Sequence, residues 1–92
     1  MEIIADRSFE KDFKRLPTMI KQELVRGYDI LLAAQNQLTV TSMPQVKSME
    51  SNKAFYRYRL GEYRLGFYFK EKVFHLSRIL HRKEMYRYFP PG

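Results

Sequence analysis

The sequence predicts a single α+β domain over residues 1–92, with two N-terminal helices packed on a twisted antiparallel sheet of about four strands and a short C-terminal helix or tail. Three observations predict it. Apolar residues recur at helical spacing early in the chain, at Phe9, Phe13 and Leu16 and again at Ile20, Leu24, Tyr28 and Leu31. From Ala54 the period changes to two, and Phe55-Tyr56-Arg57-Tyr58-Arg59-Leu60 alternates ring and cation. Two tight-turn signals, Gly61-Glu62 and Glu71-Lys72, divide the rest of that region into strands of hairpin length.

Residues 2–5 form a short, largely apolar candidate first strand. Ser8 offers an N-cap oxygen to a first helix that Pro17 stops. Thr18 offers the same to a second, longer helix. Its buried stripe is Ile20, Leu24, Tyr28, Leu31 and Leu32, and its polar face carries Lys21, Gln22, Glu23, Arg26 and Asp29. Gly27 inside this helix costs about 1 kcal/mol relative to Ala, a cost that close packing against the sheet would explain. The two helices then cover one face of the structure formed by the rest of the chain. Residues 36–53 are polar and contain Pro44, and they read as a long connection with a short extended piece around Val46.

Strands over 54–60, 63–70 and 73–80 make a three-stranded meander. Alternation sends Tyr56, Tyr58, Leu60, Leu65, Phe67 and Phe69 to the core face. Arg57, Arg59, Arg64, Gly66, Tyr68 and Lys70 fall on the opposite face, which is expected to be an open, cationic sheet. Residues 82–89 form a short helix or irregular tail before Pro90-Pro91.

Charge is unevenly spread along this framework. Residues 1–46 carry six Lys and Arg against six Asp and Glu, whereas residues 47–92 carry 11 against four and hold the whole net charge of +7. The second half also contains 11 of the 14 Phe and Tyr residues. A cationic surface studded with flat rings suits a phosphate backbone and unstacked bases.

Other chemistries find little support. There is no cysteine, so no disulfide framework and no thiolate ligand, in keeping with a reducing cytoplasm. No stretch approaches the roughly 18 apolar residues of a membrane span, and the N-terminal segment lacks the pattern of a secretory signal. No paired carboxylates stand near a His at metal-ligand spacing, and His75 and His81 are poorly spaced as ligands, so no metal is expected. Gly61 and Gly66 read as hairpin and packing glycines rather than a phosphate loop. No cofactor site is visible. His75 reads as structural, and Lys11, Lys14 and Arg15 as a solvated helix face.

What remains is a cationic site with phenols and one or two imidazoles. Metal-free RNA cleavage by the ribose 2′-OH needs little more: one proton taken, one given, and a charged phosphorane stabilised. Arginine meets two phosphorane oxygens at once. Tyrosine moves a proton where nearby cations lower its pKa from about 10.

The run Tyr56-Arg57-Tyr58-Arg59-Leu60-Gly61-Glu62-Tyr63-Arg64-Leu65-Gly66-Phe67, followed by Ile79-Leu80-His81-Arg82-Lys83-Glu84-Met85-Tyr86-Arg87, resembles the RelE/ParE superfamily of toxin–antitoxin toxins. Phe9-Glu10-Lys11-Asp12-Phe13-Lys14-Arg15-Leu16-Pro17 is similar to that superfamily's first helix and its terminating proline. The resemblance implies a ribosome-dependent endonuclease that cuts A-site mRNA, a cognate antitoxin as partner, and a prokaryotic cytoplasm as location. It implies Arg64 as a phosphate or transition-state clamp and Arg82 as partner of the leaving side. Tyr86 or Tyr88 would be the proton-transfer phenol, and His81 stays a candidate because some branches use a C-terminal histidine. Arg57 and Arg59 match positions that are lysines in RelE, and so read as electrostatic support. Tyr68, Lys70, Lys83 and Arg87 complete the expected RNA-binding set. Two alternatives remain: a ParE-like binder of DNA gyrase, and a degenerate toxin that only binds antitoxin.

Overall fold

The computed structural model describes residues 2–91. Its elements run β1 (Ile3–Ala5), α1 (Arg7–Lys14), α2 (Thr18–Ala33), α3 (Gln37–Thr41), β2 (Val46–Ser48), β3 (Phe55–Leu60), β4 (Tyr63–Lys70), β5 (Val73–His81) and α4 (Arg82–Tyr88). The α+β class is as the sequence implies. The five strands lie in the order β1-β5-β4-β3-β2, with β1 parallel to β5 and every other pairing antiparallel. The sheet is therefore mixed rather than antiparallel, because β1 pairs parallel to β5, and it is one strand larger than expected, because Val46–Ser48 adds β2 at the other edge.

The meander has the expected strands and turns. Gly61 has φ 59°, and Glu71 and Lys72 have φ 52° and 67°, so the second hairpin adopts the left-handed turn without a glycine. A bulge at Gly66/Phe67 shifts the β4–β5 register from Gly66↔Arg78 to Phe67↔Leu76 and leaves Ser77 without a register partner. Ser8 does not cap α1. Asp6 holds the N-cap position, and the Ser8 hydroxyl donates to the Ser77 carbonyl at 2.7 Å. Thr18 is likewise the first residue of α2 rather than its cap, a place held by Pro17.

One face of the sheet carries the main core. Leu65, Phe67, Phe74, Leu76 and Ile79 pack against Phe9 of α1 and Leu24 and Leu31 of α2. The buried stripe of α2 runs through Leu24, Gly27 and Leu31, while Tyr28 and Leu32 are exposed. A Cβ at Gly27 would sit 3.3 Å from Leu60 Cδ2 and 3.4 Å from Tyr58 Cε1, so the helix lies directly on β3 there. Close packing accounts for that glycine.

The opposite face is not the open sheet that alternation suggests. Helix α4 crosses it, and Met85 and Phe89 bury themselves against Leu80, Met49 and Phe55 in a second, smaller core. Gly66 makes the crossing possible: a Cβ there would meet the Phe89 ring at 2.9 Å. α4 divides the face into two clefts, one on each side of the helix.

Candidate active site

The cleft on the β2–β3 side is built by strand register. Arg59 pairs with Arg64, Arg57 with Gly66, and Lys47 of the short edge strand with Arg57, so their side chains share one face. Pro44, Gln45, Lys47, Arg57, Arg59, Arg64 and Tyr86 line a cleft of about 190 Å³. Among the described residues, no carboxylate forms an ion pair with Arg57, Arg59 or Arg64. Unpaired cations grouped around a concavity attract a polyanion.

Backbone carbonyls hold two of these guanidiniums in place. Arg64 Nη1 donates to the carbonyls of Gly61 at 2.7 Å and Tyr63 at 2.9 Å, which fixes its plane beside the hairpin turn. Arg57 Nη1 donates to the Ser48 carbonyl at 3.1 Å, and its guanidinium lies 5.5 Å from the centre of the Tyr86 ring. Carbonyls position these groups without neutralising them.

Helix geometry separates the two terminal tyrosines. At about 100° per residue, positions two apart point to nearly opposite sides. Tyr86 faces the cationic cleft, and Tyr88 faces the other one, with Arg78 5.9 Å from its ring centre. That second cleft, of about 400 Å³, includes Asp12, Arg15, Tyr63, Arg78, His81 and Tyr88 in its lining. Its main cation is already engaged. Asp12 accepts from Arg78 Nε at 2.7 Å, Arg78 Nη2 at 3.1 Å and the Ile79 amide at 3.1 Å. Those hydrogen bonds make the Arg78 guanidinium hold its proton more tightly than usual, against its partial burial.

The structure thus brings Arg57, Arg59, Arg64 and Tyr86 together and leaves the other sequence candidates outside this cleft. Arg82 pairs with Glu62, Nε to Oε2 at 2.7 Å, at the exposed β3–β4 turn. His81 occupies the α4 N-cap, where Nδ1 accepts from the Lys83 amide at 3.2 Å and the ring meets Tyr63 edge-on. Lys83 and Arg87 are exposed on α4, and Lys70 is exposed at the far end of β4. Lys47, by contrast, lines the cleft and was not among the sequence candidates. Its strand has three residues and no alternating run to announce it.

Tyr68 shares the strand face but not the surroundings expected of it. Its hydroxyl donates to Asp6 Oδ2 at 2.9 Å, and its ring stacks on His75 at 4.7 Å with planes 5° apart. The other Asp6 oxygen lies 3.1 Å from His75 Nδ1. This cluster ties the β1–α1 junction to β4 and β5, in agreement with a structural His75. Burial, then the hydrogen bond to Asp6, then the charge of Asp6 raise the Tyr68 pKa above its ordinary value of 10.0. The unfolded chain therefore loses this proton first. Stability from Tyr68 is complete below about pH 10 and falls as pH rises through the higher folded value. Tyr68→Phe is expected to lose about 1 kcal/mol at neutral pH, measured by urea denaturation, and to remove this contribution to alkaline destabilisation.

No family model matches the chain. It is 30% identical over 91 residues to toxin RelE3 of Methanocaldococcus jannaschii, covering 98% of this chain and 100% of that protein. The crystal structure of a RelB–RelE antitoxin–toxin complex from Methanococcus jannaschii contains a similar chain, with TM-score 0.74 and 27% identity over 95% of this chain and 99% of that one. YafQ from E. coli has the same fold, with TM-score 0.69 at 18% identity over 92% of this chain and 97% of its own.

Proposed function

The chain belongs to the RelE family of toxins of toxin–antitoxin systems, and from that premise we propose that it is an endoribonuclease that cuts mRNA in the ribosomal A site by 2′-OH attack. One observation carries the reading: three guanidiniums without carboxylate partners among the described residues and one phenol converge on a single cleft. The cations that this cleft offers to a phosphorane are the guanidiniums of Arg57, Arg59 and Arg64.

The roles follow from the chemistry of each group. Arg64, its plane fixed by two carbonyls, is the clamp on the non-bridging oxygens. Arg57 and Arg59 hold the flanking phosphates, since a guanidinium keeps its proton throughout the working pH range and serves as charge rather than as base. Tyr86 gives the proton to the leaving 5′-oxygen, and the phenolate so formed lies beside Arg57. Arg82, the first residue of α4 and paired with Glu62 of the β3–β4 turn, reaches the leaving side by exchanging Glu62 for phosphate. The cleft is small, so the ribosome supplies most of the substrate's orientation. The partner is a cognate antitoxin, whose acidic or amphipathic segment complements the basic half of the chain. The similar chain from Methanococcus jannaschii is in a complex of an antitoxin, RelB, with a toxin, RelE.

The test is cutting of a ribosome-bound mRNA stalled at a known codon. A single 2′-deoxyribose at the cut position is expected to abolish cleavage there, because the nucleophile is gone. Tyr86→Phe is expected to slow cutting by about 10²-fold or more, and Tyr88→Phe to leave it nearly unchanged. Cutting of the deoxy-substituted mRNA would contradict the reaction, and the reverse order of the two tyrosine variants would move the proton transfer to the second cleft.

A further inference from the structure

We propose that Lys47 is a second proton-transfer residue of this cleft, the amine that takes the proton of the attacking 2′-OH; the inference rests on the reading of the cleft as an RNA-cutting site. Val46 is buried in the main core opposite Tyr58, so the next residue along β2 projects to the other face. There Lys47 stands in register with Arg57 and lines the cleft. The groups facing it are Arg57 and Arg59 from β3, Arg64 from β4 and Tyr86 from α4, with Pro44 and Gln45 at the rim. No carboxylate is among them.

Two protons must move when RNA is cut this way, one from the 2′-OH and one to the 5′-oxygen. The three guanidiniums keep theirs, because arginine does not lose its proton below about pH 12. Of the side chains lining the cleft, that leaves one amine and one phenol, which matches the number of protons to be moved. In its uncharged form, Lys47 Nζ takes the 2′-OH proton as O2′ bonds to phosphorus. The P–O5′ bond breaks, and O5′ receives the Tyr86 proton. The products are a 2′,3′-cyclic phosphate and a 5′-hydroxyl, and the lysine ammonium and tyrosine phenolate reset by proton exchange with water.

This assignment separates Lys47 from a mere phosphate contact. An ammonium that only attracts phosphate is replaceable by a guanidinium, whereas a proton acceptor is not. Single-turnover cutting on stalled ribosomes would be followed with wild type, Lys47→Arg and Lys47→Ala between about pH 6 and pH 9, the range in which base catalysis shows as a rising limb. Both variants are expected to be slower by about 10²-fold or more, and the rise of the wild-type rate with pH is expected to flatten in Lys47→Arg. The side chain is exposed on an edge strand, so thermal unfolding of both variants is expected to match wild type. If Lys47→Ala folds poorly, Lys47→Arg alone decides the question. A Lys47→Arg protein that keeps the rate and pH profile of wild type overturns the role of Lys47 and leaves the RNA-cutting reading standing. Wild-type protein that cuts nothing overturns both.

Discussion

Arg64→Ala is expected to slow cutting of A-site mRNA by about 10²–10³-fold, the usual cost of removing one donor aimed at developing negative charge. The fold should survive the change, because the side chain serves the β3–β4 turn only through hydrogen bonds to the Gly61 and Tyr63 carbonyls. Both carbonyls belong to exposed or half-buried residues where water replaces the donor. Arg64→Lys is a useful intermediate. It restores the charge but not the fork, and is expected to recover part of the rate. Cutting by Arg64→Ala at the wild-type rate would remove Arg64 from the site. Unchanged circular dichroism and thermal midpoint would show that any loss is one of chemistry.

Asp12→Ala is expected to have the largest effect on stability, about 3 kcal/mol by urea denaturation. The carboxylate is 10% exposed and accepts three hydrogen bonds, two from Arg78 and one from the Ile79 amide. Removing it leaves a partly buried guanidinium without its counter-charge and an amide without its acceptor. The loss is a large share of the roughly 5–15 kcal/mol that holds a domain together. Arg78→Met on top of Asp12→Ala should recover part of it, because the uncompensated charge goes as well. A loss below about 1 kcal/mol would mean that the pair behaves like an exposed surface bridge.

Much of this architecture is legible in the chain. The meander can be read because ring and cation alternate through Tyr56-Arg57-Tyr58-Arg59 and because Gly61-Glu62 and Glu71-Lys72 have the length of hairpin turns. The same alternation places Arg57, Arg59 and Arg64 on one face, and that face holds the cleft. What could not be read depends on contacts between distant parts of the chain. Asp12 and Arg78 are 66 positions apart, and Asp6 and Tyr68 are 62 apart, so neither pair leaves a local pattern. The parallel pairing of β1 with β5 is equally remote. Helix α3 has only five residues, and its one local signal was the Asn36 side chain that accepts from the Thr39 amide. Lys47 lies on a strand too short to show a period. The assignment of Tyr86 and Tyr88 to different clefts requires knowing that residues 82–88 are helical, which the sequence left between helix and tail.

The most direct test is 5′-end mapping of an mRNA in a purified translation system stalled at a known codon, with parallel reactions lacking ribosomes. Cuts confined to the A-site codon, with 5′-hydroxyl ends and only in the presence of ribosomes, are the predicted result. Intact mRNA in the presence of folded protein that is toxic to cells would contradict it and direct attention to a protein target such as gyrase.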